Sequence, residues 1–151
     1  MNKKKFAVSA YIENDAHILL IDHVKQKEWV PVGGHIETYE SPIDAVSREV
    51  EEETGLVLGK DVELEASLTS FQANMYDMPD LLAYEEHDVN PPGTVHLCFS
   101  FLLHATHRNI VPCHEYTNIK WISMPEVKEF QRVPKNVRRL LLAGFGHIHR
   151  Q

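Results

Sequence analysis

Glu49, Glu51, Glu52 and Glu53 place four carboxylates within five positions of this chain. At about 100° per residue of helix, Glu49, Glu52 and Glu53 fall together on one face and Glu51 points nearly the opposite way. Acids spaced i,i+3 and i,i+4 repel one another, and a cation set among them removes that repulsion. Hard cations such as Mg²⁺ or Mn²⁺ take oxygen ligands, and Mg²⁺ is commonly held by a few carboxylates together with substrate phosphates. The spacing therefore fits a phosphate-handling metal site. A bare run of glutamates more often decorates a wet helix surface, so the neighbouring residues have to decide.

A helix with its own start and stop signals must carry these acids. Ser41 is a good N-cap, Pro42 suits the first helical position, and Asp44 sits where a capping-box acid reaches back to the cap. Gly55 follows the last periodic residue and can take the left-handed conformation that ends a helix. The predicted helix runs from Pro42 to Thr54, with Ile43, Val46 and Val50 as its apolar stripe.

The segment from Gly34 to Leu56 places Gly34, five residues, Glu40, seven residues, Arg48-Glu49, Val50, one residue, Glu52-Glu53, one residue, Gly55 and Leu56 in order. It resembles the full signature of the Nudix, or MutT-like, hydrolase family. Trp29, the run Gly33-Gly34-His35-Ile36-Glu37, the segment Glu115 to Trp121 and Pro125-Glu126-Val127 are similar to the usual flanks of such a domain. One departure is the lead-in Pro31-Val32-Gly33-Gly34, where the family commonly has Leu-Pro-Gly-Gly.

The resemblance implies an α/β fold, an α/β/α sandwich with a mixed sheet, its catalytic motif forming a loop–helix–loop. It implies Glu49, Glu52 and Glu53 as ligands of Mg²⁺ or Mn²⁺, assisted by the Gly33 carbonyl. Arg48 would brace the loop by pairing with Glu40 or Glu37, with Gly34 in support, and its angular position lies off the acid cluster. Glu52 and Glu115 are the candidates for orienting or deprotonating the attacking water. His35, Tyr76 and Tyr84 are candidate substrate contacts.

The implied reaction is metal-dependent hydrolysis of the pyrophosphate bond in a nucleoside diphosphate linked to another group. About 15 to 18 residues beyond the motif, where some subfamilies carry a distinguishing proline or tyrosine, Phe71 to Asn74 supply neither. That weakens ADP-ribose and diadenosine polyphosphate as substrates and leaves nucleoside triphosphates and nucleotide sugars open. Two other classes stand beside hydrolysis: a non-hydrolytic sensor of nucleotide metabolites, and a prenyl diphosphate isomerase, which needs a suitably placed cysteine.

Composition agrees with a single domain over residues 1–151. The apolar fraction is 43%, ordinary for a globular protein, and the net charge of −7 argues against a grip on long nucleic acid. A small nucleotide-type substrate and a monomer or homodimer are expected. Cys98 and Cys113 are the only cysteines, and no paired Cys or His spacing points to zinc. With no secretory h-region and no membrane-length apolar run, a cytoplasmic, non-membrane protein is expected.

Around the motif, Phe6 to Ile12 and His17 to Val24 read as antiparallel strands about a turn at Glu13-Asn14-Asp15-Ala16, followed by an extended piece from Trp29 to Val32. Val62 to Gln72, Thr94 to Ala105 and Tyr116 to Ser123 read as further strands. A turn of helix follows Pro125, and a last helix opens at Pro134 and ends before Gly144, with Val137, Leu140 and Leu141 on its buried side. The segment from Asn74 to Gly93 reads as a long loop, a flap over substrate or a spacer.

Overall fold

A computed structural model describes residues 3–24, 27–63, 81–89, 94–111 and 116–148. The chain runs β1 (Lys3–Asn14), β2 (His17–His23), β3 (Trp29–Val30), β4 (Val32–His35), α1 (Pro42–Thr54), β5 (Val62–Glu63), β6 (Leu81–Val89), β7 (Thr94–Ala105), β8 (Tyr116–Ser123), α2 (Met124–Glu129) and α3 (Lys135–Ile148). All the strands join one mixed sheet. β1 and β7 pair in parallel from Lys3↔Thr94 to Glu13↔His104, and the other pairings are antiparallel.

Strand periodicity sorts the core into two layers, because successive side chains point to opposite faces of a sheet. Val8, Ala10 and Ile12 of β1, with Leu19, Ile21 and Leu103, pack against Ala45, Val46 and Val50 of α1. Tyr11, Ile18, Leu20 and Leu102 face the other way, onto Val127 of α2 and Val137 and Leu141 of α3. Helices thus cover both faces of a mixed sheet, the expected sandwich.

The first two strands do pair antiparallel, but only beside their turn, at Glu13↔Ile18 and Asn14↔His17. Asp15 and Ala16 form a two-residue turn with φ of 50° and 58°, a twist that suits a hairpin of this length. Beyond it β1 turns to β4 and β2 turns to β8. The extended piece after Trp29 is split between β3 and β4, the second running on through both glycines.

Two expectations change, and a third is described only at its start. The stretch read as a flap or spacer contains β6, paired antiparallel with β7 from Leu81↔Phe101 to Val89↔Thr94; long-range pairing overrides a composition rich in acids. β5 covers Val62 and Glu63, and the rest of the strand read through Gln72 lies outside the described residues. The last helix continues through Gly144 and Gly146 to Ile148, although glycine costs about 1 kcal/mol in a helix interior.

Candidate active site

The helix signals act as read. Ser41 is the N-cap, its Oγ accepts from the Asp44 N–H, and the Asp44 carboxylate accepts from the Ser41 N–H, both at 3.1 Å. Gly55 adopts φ 78° and donates its N–H to the Glu51 carbonyl. The far end of α1 is strapped twice more. Val111 N–H donates to the Thr54 carbonyl at 2.7 Å, and the buried Tyr116 hydroxyl of β8 donates to the Glu53 carbonyl at 3.0 Å. Tyr116 was not among the residues singled out from sequence, and no local signal marks it.

The three acids of the cluster differ in burial. Glu53 is buried, the Glu49 side chain is 12% exposed, and the Glu52 side chain is 57% exposed. The Glu49 and Glu53 carboxyl groups stand close enough to influence each other. Burial pushes the Glu49 carboxyl above its ordinary range, partly offset by Glu53 and by Arg48. Glu51 is exposed and, with Asp44, Ser47, Arg48 and Glu52, lines an open groove along the outside of α1.

Both glycines make room, Gly34 for a side chain and Gly33 for fixed backbone. A Cβ on Gly34 would stand 2.3 Å from Glu49 Oε1, and one on Gly33 would stand 2.2 Å from the Val8 carbonyl oxygen. Gly34 therefore lets the Glu49 carboxylate lie against the β4 backbone, and Gly33 lets β4 lie flush on β1. His35 ends β4 opposite Ala7. Burial and the nearby Lys5 charge lower the His35 imidazole pKa.

Arg48 braces the loop as expected and does more. Its Nε and Nη2 donate to Glu40 at 2.7 and 2.9 Å, and Nη2 also donates to the His35 carbonyl at 3.0 Å. Its Nη1 donates to Glu49 at 2.9 Å and to Glu52 at 3.2 Å, with Glu37 3.9 Å away. The expectation that Arg48 lies off the acid cluster is thus corrected: Arg48 and Glu52 are i,i+4 neighbours, about 40° apart around the helix, so the guanidinium shares a face with that acid. The pair raises the Arg48 pKa and, chiefly through the guanidinium and then through the Glu37 N–H, lowers that of Glu40 to about 2.

With Glu52 turned toward Arg48, no three Asp, Glu, His or Cys side chains among the described residues form a group able to hold a metal ion. Glu49 and Glu53 are brought together, and Glu52 stands across a single guanidinium nitrogen from Glu49. Glu115 and Tyr76 lie outside the described residues, and Tyr84 falls on β6. Cys98 is buried, 3.3 Å from Ser9 Oγ. It alternates with Phe99 and Phe101, which pack in the α1 layer, so it faces away from the acids.

The sequence model of the NUDIX domain matches residues 3–142. The chain belongs to the Nudix family. Over 56 residues it is 38% identical to a probable DHNTP pyrophosphohydrolase of Lactococcus lactis subsp. cremoris (strain MG1363), a stretch covering 37% of this chain and 34% of that protein. The match thus spans about a third of that relative's length. A NUDIX-family hydrolase from Clostridium perfringens shares the fold with a TM-score of 0.80 at 26% identity, over 98% of this chain and 99% of the other. A C. elegans Ap4A hydrolase aligns with a TM-score of 0.74 at 15% identity over 99% of each chain, a likeness of fold. No described helix is long and apolar enough to cross a membrane.

Proposed function

We propose that this Nudix protein is a divalent-cation-dependent hydrolase that splits the pyrophosphate bond of a nucleoside diphosphate linked to another group. The observation carrying this reading is the packing of the Glu49 carboxyl against Gly34, on the same helix as the buried Glu53. Two neighbouring carboxyl groups, Glu53 buried and Glu49 largely so, offer oxygen donors to a divalent cation. Glu49, Glu53 and Glu52, with the Gly33 carbonyl, are the ligands of Mg²⁺ or Mn²⁺ in this reading. When bound there, the cation supplies charge stabilisation for the bridging phosphates and a lowered pKa for water.

The chain's own residues do the remaining work. Arg48, anchored by Glu40 and the His35 carbonyl, positions Glu49 and Glu52 through Nη1. Glu52, the most exposed of the three acids, is placed to receive the proton of the attacking water, with Glu115 as the second candidate. The water oxygen forms the new bond to phosphorus, the bridging P–O bond breaks, and the leaving phosphate carries away its electron pair. The substrate is a small nucleotide-type molecule, and a cytoplasmic location follows the same reading.

The test is turnover across nucleoside triphosphates, nucleotide sugars, ADP-ribose, Ap4A and DHNTP with Mg²⁺ or Mn²⁺, the last two drawn from the names of the similar proteins. Metal-dependent hydrolysis of one class supports the proposal and names the substrate. Tight metal-dependent binding without turnover of any of them would turn the reading to a sensor.

A further inference from the structure

Five non-glycine residues have positive φ among the described residues: Asp15, Ala16, Lys27, Tyr39 and Arg132. Four of these conformations are compensated within the chain. Asp15 and Ala16 close the turn between paired Asn14 and His17. Lys27 N–H donates to the His23 carbonyl, and its own carbonyl accepts from Arg132 Nη1, both at 2.9 Å. Arg132 also pairs with Asp22, and its carbonyl accepts from Trp29 N–H at 2.8 Å.

Tyr39 differs. It occupies the third position of the turn Glu37–Glu40, closed by Glu40 N–H to the Glu37 carbonyl at 3.1 Å, with φ 70°. A turn with a left-handed third residue takes glycine or asparagine most easily, and a bulky residue there is a true outlier. The turn itself is imposed by Glu40, which must come back to grip Arg48. The tyrosine is not imposed, since its ring is fully exposed at 102% and covers no surface of the chain. Strain held at a residue that gains no contact within its own molecule points to a contact made with something else.

The neighbourhood selects the kind of contact. Tyr39 adjoins Glu40, which clasps Arg48, whose Nη1 reaches Glu49 and Glu52, so its backbone is one residue from a carboxylate tied through Arg48 to the acid cluster. Glu37, Glu40 and Asp44 surround it in sequence, so an anionic group is repelled there while a neutral flat ring is not. We infer that Tyr39 is a specificity residue that stacks on the neutral heterocycle of the substrate while the pyrophosphate lies at Glu49, Glu52 and Glu53. This rests on the hydrolase reading above and adds to it which side of the site receives the ring.

Isothermal titration in Mg²⁺ tests the assignment, using methylene-bridged nucleoside diphosphates of several bases and, as a ring-free probe, methylenediphosphonate. Tyr39→Gly should weaken the ring-bearing compounds about tenfold, the scale of one base stacked on an aromatic side chain, and leave the ring-free probe within twofold. Tyr39→Phe should bind like the unaltered protein. A melting temperature for Tyr39→Gly equal to or above the parent's shows that the fold is intact and the strain relieved. Unchanged affinity for the ring-bearing compounds, or an equal loss for the ring-free probe, overturns the inference alone. Failure of the unaltered protein to bind any of these compounds strikes the hydrolase reading and the inference with it.

Discussion

At the N-terminal end of α1, charge and polarity are matched within the chain: Ser41 and Asp44 exchange hydrogen bonds, and Glu40 takes both Nε and Nη2 of Arg48. At the C-terminal end the same helix crowds Glu49, Glu52 and Glu53 together, burying Glu53 and forcing Glu49 above its ordinary pKa. Nη1 of Arg48 crosses from the first arrangement to the second. One half of the helix is built for stability, and the other gathers the acids that the proposal makes cation ligands. Changes in the two halves should therefore separate in their readouts.

The largest effect expected is that of Glu53→Gln, which keeps the shape and removes the charge. Hydrolysis should fall at least about a hundredfold, the scale of losing a preorganised electrostatic partner in a transition state, while the metal-free melting temperature stays level or rises. Turnover at the parent rate would remove Glu53 from the ligand set. Arg48→Ala should lower stability by about 2 kcal/mol in urea unfolding, since charge-assisted hydrogen bonds to Glu40 and the His35 carbonyl are lost. If melting is unchanged while activity vanishes, the bracing role is wrong and the link to the acids is what matters.

Gly34→Ala lies on the boundary between the halves. The added methyl meets the movable end of Glu49, so the carboxylate should swing away, lowering kcat/KM about tenfold, equal to roughly 1.4 kcal/mol of transition-state binding, with little change in melting. Ser41→Ala should cost about 1 kcal/mol of stability and leave kcat/KM unaltered; a comparable loss of activity would join the two halves. The smallest effect is read in acid. Glu40 has its pKa lowered from 4.5 to about 2 in the fold, so between those values the unfolded chain binds more protons and stability rises with pH. The stability difference between the parent and Glu40→Gln should thus be full above pH 5 and shrink as pH falls toward 2, followed by melting in that window.

Legibility followed the range of the forces involved. α1 was readable to the residue because Ser41, Pro42, Asp44 and Gly55 act within one turn of where they stand. The acid face was readable for the same reason. β6 was not, since Leu81–Val89 becomes a strand by pairing with β7, an influence that no spacing inside Asn74–Gly93 encodes. The continuation of α3 past Gly144 runs against local propensity in the same way. Within the site, the motif named Arg48, Glu40 and Gly34, and the i,i+4 spacing of Arg48 and Glu52 encoded their contact, whereas the hydrogen bond from Nη2 to the His35 carbonyl depended on how the loop folds back. The strap from Tyr116 to the Glu53 carbonyl joins positions 63 residues apart and leaves no trace in the sequence around either.

The parallel pairing of β1 with β7 also bears on how the molecule comes into being. Lys3–Glu13 meets Thr94–His104 across a separation of roughly ninety residues, and closing so long a loop costs chain entropy before any contact is made. Contacts of that span slow folding. During synthesis α1, with caps of its own, can begin to form early. β1, which supports Gly33 and Gly34, gains its parallel partner only once β7 has left the ribosome, so the floor beneath the carboxylates is completed late in synthesis.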